Sequence, residues 1–389
     1  MLFSNSALCI LHCYVKGGEK HLVCVTLSGY YGFCNIGDEA ILEVIIGILR
    51  RQIPDVEIVV LSGNPVHTSG VYGVKAVSRT HLPSIIRSIR RSDLLISGGG
   101  GLLQDITSFR SAAYYLGIIE AALFMRKKVA VFAQGVGPLR HPLTLRWVKR
   151  TLNRVDLISV RDSLSAGLLA ELGIKKNVRI AADPVFSLRP PLEEEIVSFW
   201  KTEGIETGKK LLQVGVALRP FPQGRHPGAE VFEIITRACL YLEKEYGARI
   251  IFLPYHLEKD LPLAREISSR LSRQNVIIDR ALSAREVISL IGGLDLLLGM
   301  RLHALIFAAI NGVSFVALPY DPKINAFLST LGKKSLPSLE KLTIEQLIAD
   351  LDLALSEKGR KDKSELAQKL AVLQEEVEKS ALDLLALIT

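Results

Sequence analysis

The sequence predicts an α/β protein made of two successive series of strand–helix units. Short apolar runs alternate with amphipathic segments along the whole chain, as expected of repeated strand–helix units. The apolar runs are continuous rather than alternating, which is typical of parallel strands covered on both faces. Two prolines followed by acidic residues in "SLRPPLEEE", residues 187–195, interrupt this rhythm and predict a linker between the two series.

The first series contains six predicted strands: "HLVCVTLSG", "VEIVVLSG", "DLLISGG", "KVAVFAQGV", "DLISVRD" and "VRIAADP". Its clearest predicted helices cover 38–51, 110–126, 142–154 and 162–172. The second series contains five predicted strands, again with helices between them: "LLQVGVALRP", "ARIIFLPY", "NVIIDR", "LDLLLGM" and "VSFVALPY".

Near the end of the chain, one helical face collects apolar residues, namely Leu366, Leu370, Leu373 and Val377. We expect this helix to pack back across a domain, because too few heptads are present for a coiled coil. The fold expected is therefore two Rossmann-like domains that face a cleft and are closed by C-terminal helices, a GT-B-like arrangement. The predicted boundaries are an extension without ordered structure, two domains and the closing helices, at 1–18, 19–188, 189–345 and 346–389.

The composition is that of a globular protein, since 49% of the 389 residues are hydrophobic and 23% are charged. No apolar stretch approaches the roughly 18–20 residues that span a bilayer. The segment "ALCILHCYV" is short and lacks a preceding basic segment, which favours an extension over the alternative of a signal or anchor. Five cysteines without CxxC spacing predict free thiols in a reducing cytoplasm. The net charge of +8 favours anionic partners.

A glycine-rich turn, "GYYGFCNIGDEAIL" at 29–42, follows the first strand and opens a helix. Its glycines permit a close backbone approach, and the helix start presents free N–H groups to an anion. We predict that Asn35 and Gly37 bind substrate, and that Asp38 accepts a hydrogen bond from a substrate hydroxyl. The alternative for Asp38 is a helix-start acid. The spacing is not G-x-G-x-x-G, so a dinucleotide site is weakly supported.

Four consecutive glycines, Gly98, Gly99, Gly100 and Gly101, follow the strand "DLLIS". Ligands bind at the carboxyl edge of a parallel sheet, where bare backbone lets a substrate come close. A turn alone needs only one or two glycines. We therefore predict a substrate-binding turn here.

Cationic residues follow three later strands, at Arg161, at Arg301 with His303, and at Lys323. Arg161 is predicted to be catalytic, and a salt bridge to Asp162 or Asp183 is the alternative. Arg301 and His303 stand at the start of an apolar helix, where two cations are unfavourable unless an anionic ligand docks there. Lys323 is expected to reach the same pocket.

A basic helix, "LTLRWVKRTLNR", carries Arg146, Lys149, Arg150 and Arg154 on one side, with Trp147 at the boundary. The simplest interpretation is a solvated basic face, and the alternative is a helix that contacts a membrane surface.

Taken in order, "GYYGFCNIGDEAIL", "SGGGGLLQD", "AQGVGP", "VRDSLS", "ADP" and "RLHALIFAA" resemble the polysaccharide pyruvyl transferase family, in particular its CsaB type. The resemblance covers about residues 22 to 345. It departs from the family pattern at Cys34, where a small residue, usually Gly, is expected. The first 18 residues have no counterpart.

This resemblance implies a GT-B-like fold with phosphoenolpyruvate as the donor, which is a substrate rather than a cofactor. The implied product is a pyruvate ketal on two hydroxyls of N-acetylmannosamine, in a lipid-pyrophosphate-linked precursor of a secondary cell wall polymer that anchors surface-layer proteins. It also implies roles for Arg161, Arg301, His303 and Lys323. His303 suits the general acid, and Asp38 would orient or deprotonate the acceptor. The first domain would serve the acceptor and the second the donor.

Three other functions compete with this interpretation: a glycosyltransferase with a nucleotide-sugar donor, a non-catalytic phosphosugar-binding protein and, least favoured, an NAD-dependent enzyme. We expect no metal, because no ligand cluster appears at coordinating spacing. We also expect no nucleic-acid partner. The implied lipid-linked acceptor predicts a cytoplasmic protein in peripheral contact with the membrane. The sequence leaves the oligomeric state open.

Overall fold

Two parallel sheets, each with helices on its faces, make up the computed structural model of this chain. The structure describes residues 15–16, 19–20, 22–105, 109–206, 211–220, 228–272 and 274–388. A two-residue antiparallel pair, β1 (Val15–Lys16) and β2 (Glu19–Lys20), precedes the first sheet. Most of the predicted extension, residues 1–18, lies outside the described residues.

The first sheet has seven strands: β3 (Cys24–Tyr31), β4 (Glu57–Ser62), β5 (Lys75–Ser78), β6 (Leu94–Gly98), β7 (Lys128–Gln134), β8 (Leu157–Val160) and β9 (Val178–Ile180). They are accompanied by α1 (Ile36–Gln52), α2 (Pro65–Tyr72), α3 (Leu82–Arg91), α4 (Phe109–Phe124), α5 (Pro142–Leu152) and α6 (Ser163–Glu171), and a 3₁₀ turn, Pro184–Ser187, follows. All strand pairs are parallel, in the order β5-β4-β3-β6-β7-β8-β9.

After a stretch without helix or strand at 188–192, α7 (Glu193–Thr202) leads into the second sheet. Its strands are β10 (Gln213–Ala217), β11 (Arg249–Phe252), β12 (Val276–Ile277), β13 (Leu296–Gly299) and β14 (Ser314–Ala317). The accompanying helices are α8 (Gly228–Tyr246), α9 (Leu257–Ser268), α10 (Ala284–Gly292), α11 (Leu302–Ile310) and α12 (Pro322–Thr330). The strand order β12-β11-β10-β13-β14 is again fully parallel.

The predicted fold class is confirmed, and all eleven predicted strands are present. The sequence analysis missed β5 and the helices α2 and α3. Strand β5 lies at the sheet edge and is largely half-exposed, so it lacks the continuous apolar run of a central strand. Helix α2 buries Thr68 alone, which leaves no helical apolar periodicity to detect. The exact domain boundaries stay predictions.

Both sheets share one topological feature that positions the site. In each, the strand order reverses beside the first strand, between β3 and β6 in one sheet and between β10 and β13 in the other. Loops on the two sides of such a reversal diverge and leave a crevice at the carboxyl ends of the strands. The predicted functional turns follow these strands.

Helix α1 joins the two domains through their largest apolar cluster. Most of its residues are buried, and it packs against α10 of the second domain. An ion pair between Arg285 Nε and Glu43 Oε1, 2.8 Å apart, crosses the same contact. The first turn of α1 is thereby held at the cleft between the sheets.

The chain ends with α13 (Ile344–Leu355) and α14 (Glu357–Leu385). The predicted face of α14 is buried at Leu366, Leu370, Leu373 and Val377. It packs on β7, β8 and the 3₁₀ turn of the first domain and on α11 and β14 of the second, which confirms that this helix packs back across the fold. Within the described residues, no helix is both long and apolar enough to cross a membrane.

Neighbouring positions on α14 allow a matched test of this packing. Leu373 is 5% exposed and Val372 is 56% exposed. We expect Leu373→Ala to destabilise the protein by about 2–5 kcal/mol, because the buried side chain leaves a cavity, and Val372→Ala to change stability by less than about 0.5 kcal/mol. Thermal unfolding of both variants measures the difference. Equal midpoints would contradict the packing of this face.

Candidate active site

The first turn of α1 is organised by two side chains that cap neighbouring backbone groups. Asn35 is the N-cap, and its Oδ1 accepts a hydrogen bond of 3.2 Å from the Gly37 N–H. Glu39, buried one turn later, accepts a 2.8 Å hydrogen bond from the Gly32 N–H and a 2.9 Å bond from the Tyr72 hydroxyl. Glu39 therefore fixes the turn, a role that the sequence analysis missed. Asn35 is exposed and serves the backbone in this structure.

Cys34 occupies a left-handed backbone conformation in this turn, with φ of 55°. Glycine adopts this conformation without steric cost, whereas other residues are strained in it. The family pattern expects a small residue, usually Gly, at this position. The local geometry explains that expectation.

Asp38 faces the glycine turn of the neighbouring strand. Its Oδ1 accepts a 2.9 Å hydrogen bond from the Gly100 N–H. Burial raises the pKa of the Asp38 carboxyl to about 6, although the Gly100 N–H and the charge of Arg161 act in the opposite direction. Asp38 thus belongs to the helix start and also lies in the cleft, so the two interpretations of this residue coincide.

The glycines at 98–101 are needed because other groups occupy the space that side chains would fill. A Cβ added at Gly100 would lie 3.2 Å from Asp38 Oδ1, and one at Gly101 would lie 3.3 Å from Lys323 Nζ. Gly98 accepts a 2.6 Å hydrogen bond from the buried Tyr31 hydroxyl. Gly99 has φ of 152°, at the edge of the glycine-favouring range. This turn brings Asp38 of the first domain near Lys323 of the second.

His303 packs directly on Gly37, across the domain boundary. A Cβ added at Gly37 would overlap the imidazole. Arg161, which the sequence predicts to be catalytic, donates a 3.0 Å hydrogen bond to Asp183 Oδ2. His303 Nε2 lies 3.7 Å from the same oxygen. A buried carboxylate therefore stands between the arginine and the histidine.

Of the two salt-bridge partners considered for Arg161, Asp183 is the one in contact. Asp162 Oδ2 is 3.9 Å from Arg161 Nε, and its Oδ1 mainly caps α6 by accepting a 2.7 Å bond from the Ser165 N–H. The Arg161 side chain also lines Gly100 and Gly135. It is thus both paired and placed against the glycine turn.

Burial lowers the pKa of His303 to about 4, because the charged imidazolium loses hydration; Asp183 opposes this shift and Arg161 adds to it. His303 Nε2 has no hydrogen-bond partner among the described residues. The imidazole is therefore neutral at pH 7 in this arrangement, and its Nε2 is buried. The sequence favoured two cations here only with an anionic ligand docked, so that expectation stays a prediction.

Arg301 is directed to a partner that the sequence did not indicate. Its guanidinium donates to Asp260 Oδ2 at 2.6 Å, and the buried Asp260 also accepts hydrogen bonds from the N–H groups of Tyr255 and His256. Arg301 Nε is buried without a partner in the described part of the chain. The carboxylate compensates much of the charge of Arg301, which removes the electrostatic conflict with the helix start.

Lys323 is the second residue of α12, after the capping Asp321. Burial lowers the pKa of Lys323, and the charge of Arg161 lowers it further. The two cations are therefore close enough to repel each other. Such a pair is stabilised by an anion placed between its members. Among the described residues, no three His, Cys, Asp or Glu side chains are grouped to hold a metal ion.

Comparison with known proteins gives one family. The model of the family described as polysaccharide pyruvyl transferase matches residues 35–322. The amylovoran biosynthesis protein AmsJ of Erwinia amylovora is 23% identical over 321 residues, which cover 77% of this chain and 74% of AmsJ.

Solved structures with the same architecture are more distant in sequence. HepE of Anabaena in complex with UDP-glucose has a TM-score of 0.62 at 12% identity, covering 94% of this chain and 100% of that one. The S. aureus MnaA–UDP structure has a TM-score of 0.60 at 12% identity, covering 91% and 94%. The UDP-GlcNAc 2-epimerase of Methanocaldococcus jannaschii reaches 0.59 at 14%, covering 87% and 94%. At these identities the likeness shows the GT-B-like fold alone.

The raised pKa of Asp38 predicts a pH-dependent gain of stability when its charge is removed. The pKa of this carboxyl is 3.8 ordinarily and about 6 in the folded protein. The folded state therefore binds more protons than the unfolded state between these pH values, and stability falls as the pH rises through that window. The full cost, about 3 kcal/mol at about 1.4 kcal/mol per pH unit, is present above pH 6.

We therefore expect Asp38→Asn, which keeps an oxygen for the Gly100 N–H, to raise the thermal midpoint at pH 8 and to have little effect near pH 4. Thermal unfolding of the parent and the variant at both pH values measures this. The pH 4 comparison is the internal control. A lower midpoint for the variant at pH 8 would show that ionised Asp38 stabilises the fold.

Proposed function

Because this chain belongs to the polysaccharide pyruvyl transferase family, we propose that it moves the pyruvyl group of phosphoenolpyruvate onto two hydroxyls of one sugar and releases phosphate. Family membership makes the protein a transferase that pyruvylates polysaccharide. The donor, the lipid-linked acceptor and the residue roles given below are the proposal.

The observation that carries the proposal is the meeting of cations and bare backbone at one turn. The Lys323 side chain lies close to Gly101, and the Arg161 side chain lies close to Gly100. Phosphoenolpyruvate has a phosphate and a carboxylate, so its site needs several positive groups in a space without side chains. The start of α1, where Asp38 accepts a hydrogen bond from the Gly100 N–H, adds the positive end of a helix dipole. Arg301, paired with Asp260, would act from the margin of this site.

His303 and Asp38 are the groups proposed to move protons in the reaction. Protonation of carbon 3 of the donor makes carbon 2 electrophilic, and His303 is the group proposed to give that proton. A sugar hydroxyl then bonds to carbon 2 and loses its proton to Asp38. The bond from carbon 2 to the phosphate oxygen breaks, and phosphate leaves. Attack by the second hydroxyl, with loss of its proton, closes the ketal.

Neutral His303 must gain a proton before it can act as the acid. A bound donor carries several negative charges, and a nearby negative charge favours the imidazolium. We propose that phosphoenolpyruvate and a proton bind together. Asp38, with a pKa of about 6, is mostly ionised at pH 7 and ready to accept the hydroxyl proton.

A glycosyltransferase with a nucleotide-sugar donor is not favoured, because the matching family is a pyruvyl transferase family. The UDP-bound structures are 12% identical to this chain, and at that distance they share its fold alone. An assay separates the two functions directly. Phosphate released from phosphoenolpyruvate in the presence of an acceptor supports pyruvyl transfer, whereas UDP released from a UDP-sugar supports glycosyl transfer.

For the acceptor, we propose N-acetylmannosamine in a lipid-pyrophosphate-linked precursor of a secondary cell wall polymer that anchors surface-layer proteins. The support is the CsaB-type pattern of motifs, with "GYYGFCNIGDEAIL" and "RLHALIFAA" at the two sides of the site. Mass spectrometry of products from a panel of aryl-linked hexosamines and hexoses tests it. Preference for another sugar would leave the pyruvyl transfer in place and replace the acceptor.

Replacing His303 with Gln should lower kcat by about 10²–10⁴, because the general acid is lost while hydrogen bonding is partly kept. The KM for phosphoenolpyruvate should stay within about threefold. Steady-state phosphate release with an aryl-linked amino-sugar acceptor measures both constants. Parental turnover by the variant would remove His303 from the chemistry.

The same variant tests the coupling of donor and proton. Calorimetric titration with phosphoenolpyruvate at pH 8, in buffers of different ionisation enthalpy, should show uptake of close to one proton by the parent protein. Uptake should disappear in His303→Gln and persist in Asp38→Asn, the matched control. Full uptake without His303 would assign the proton to another group.

We further propose that the protein works as a peripheral membrane protein through a basic surface made by α5 and the end of α4. Arg146, Lys149 and Arg150 are exposed on α5. Phe124 at the end of α4 is 86% exposed and Leu143 is 56% exposed, so apolar groups that could enter a headgroup layer accompany the cations. Arg154 contributes less than expected from sequence, because it forms a 2.7 Å ion pair with Glu120.

Vesicles that contain phosphatidylglycerol should co-sediment the protein at low salt and release it as salt rises, because each basic residue near an anionic leaflet contributes about 1 kcal/mol. Joint replacement of Arg146 and Arg150 with Glu should weaken this binding without lowering activity on a soluble acceptor. Joint replacement of Lys259 and Arg265 on α9 with Glu is the charge-matched control. Equal loss in both variants would indicate an effect of net charge rather than of this surface.

A further inference from the structure

Two exposed aromatic rings of the first domain have no part in the chemistry described above. Tyr30 and Phe33 stack in parallel, with ring centroids 4.3 Å apart and 12° between the planes. Tyr30 is 40% exposed and Phe33 is 43% exposed. We call this pair the aromatic platform. It lies in the turn between β3 and α1.

Contacts from two other segments hold Phe33 in place, and a third segment holds Arg79. Its ring lies against Gly63, where an added Cβ would come within 2.7 Å of it. The Arg79 guanidinium lies 5.2 Å from the Phe33 centroid and 4.2 Å from the Tyr114 centroid. Arg79 also donates a 3.3 Å hydrogen bond to the Tyr115 hydroxyl. The platform is therefore a layered, fixed surface rather than a loose pair of side chains.

The platform is continuous with the catalytic groups on the first domain. The backbone N–H of Gly32, between the two rings, donates to Glu39, the residue next to Asp38. Tyr115, which holds Arg79, lies within the electrostatic reach of Asp38, whose charge contributes to the raised pKa of the Tyr115 hydroxyl. The platform and Asp38 therefore belong to one short segment that this hydrogen bond holds together.

The chemistry of the platform suits a sugar ring. A hexopyranose has a face of C–H groups and a rim of hydroxyls, so it can stack on an aromatic ring and still offer hydroxyls to a carboxylate. Phe33 lies between Tyr30 and Arg79 in this stack, so Tyr30, which is 40% exposed, is the outer ring on which a sugar would stack. The proposed donor, with its two anionic groups, would bind at Arg161 and Lys323, beside Gly100 and Gly101.

We propose that Tyr30 and Phe33 form the subsite on which a hexopyranose ring of the acceptor stacks, with its hydroxyl edge towards Asp38. The role of this sugar as the pyruvyl acceptor rests on the proposed function, whereas the binding itself does not. The platform is thus a specificity element for the ring to be modified or for its neighbour in the glycan.

Binding is tested first, without turnover. Saturation-transfer NMR and calorimetry with the methyl glycosides of N-acetylmannosamine, galactose and glucose should detect binding of at least one sugar to the parent protein. Phe33→Ala and Tyr30→Ala should each weaken that binding by about tenfold or more. Failure of the parent to bind any of the three would overturn the platform.

The nature of the contact is tested with Tyr30→Leu and Tyr30→Phe. The leucine fills similar space without an aromatic face and should bind as poorly as Tyr30→Ala, whereas the phenylalanine should bind like the parent. Parental binding by Tyr30→Leu would show that the ring is only a packing element and would overturn the proposal. Leu240→Ala on α8, at a side chain that is also 40% exposed, is the control and should change nothing.

Kinetics then separate this proposal from the proposed function. In the phosphate-release assay, Phe33→Ala should raise the acceptor KM about tenfold and leave the KM for phosphoenolpyruvate within about twofold. An equal rise of both would contradict an acceptor subsite. If the parent binds sugar on the platform yet releases no phosphate, the proposed function fails and the platform stands.

Discussion

The contact between the imidazole of His303 and the backbone of Gly37 is the constraint on which the rest of the site depends. The two residues belong to the first turns of α11 and α1, helices from different domains. Any side chain at position 37 would displace the imidazole. Because α1 is buried between the sheets, the domains hold this contact together over a large apolar surface, and the site is assembled by domain packing rather than by one loop.

Around this contact the structure concentrates ionisable groups that water barely reaches. Asp183 stands between Arg161 and His303, and Asp38 shares the glycine turn with Arg161 and Lys323. Burial raises the pKa of Asp38 and lowers those of His303 and Lys323. Each shift moves a group towards its neutral form, so these buried groups carry less charge than their residue types suggest. An anionic ligand would reverse this tendency for the two basic groups.

Two surfaces near the site differ in chemical character. At Gly101, Lys323 meets bare backbone, whereas the turn around Gly32 presents the stacked rings of Tyr30 and Phe33. Asp38 follows these rings in the same segment and accepts a hydrogen bond from the Gly100 N–H of the glycine turn. The proposed charged donor and sugar acceptor need surfaces of these two kinds. The single turn that follows β3 supplies both Asp38 and the rings.

Sequence patterns were sufficient for the features that depend on neighbouring residues. Continuous apolar runs identified the central strands, since those strands are covered on both faces, and runs of glycine marked the turns at their carboxyl ends. The face of α14 followed from helical spacing. Edge strand β5 and helix α2 escaped detection, because partly exposed elements lack an apolar signal.

Partners distant in the chain depended on the folded arrangement. The sequence left Asp162 and Asp183 as alternative partners of Arg161, and the fold selects Asp183, which lies 22 residues away. Asp260 lies 41 residues from Arg301, and the sequence did not indicate it. The neutral state of His303 follows from burial by both domains, which residue type and helix position do not express. The stack of Phe33, Arg79 and Tyr114 joins three separate segments. Hydration and pairing depend on which groups the fold brings into contact, and these are properties of three-dimensional packing rather than of chain order.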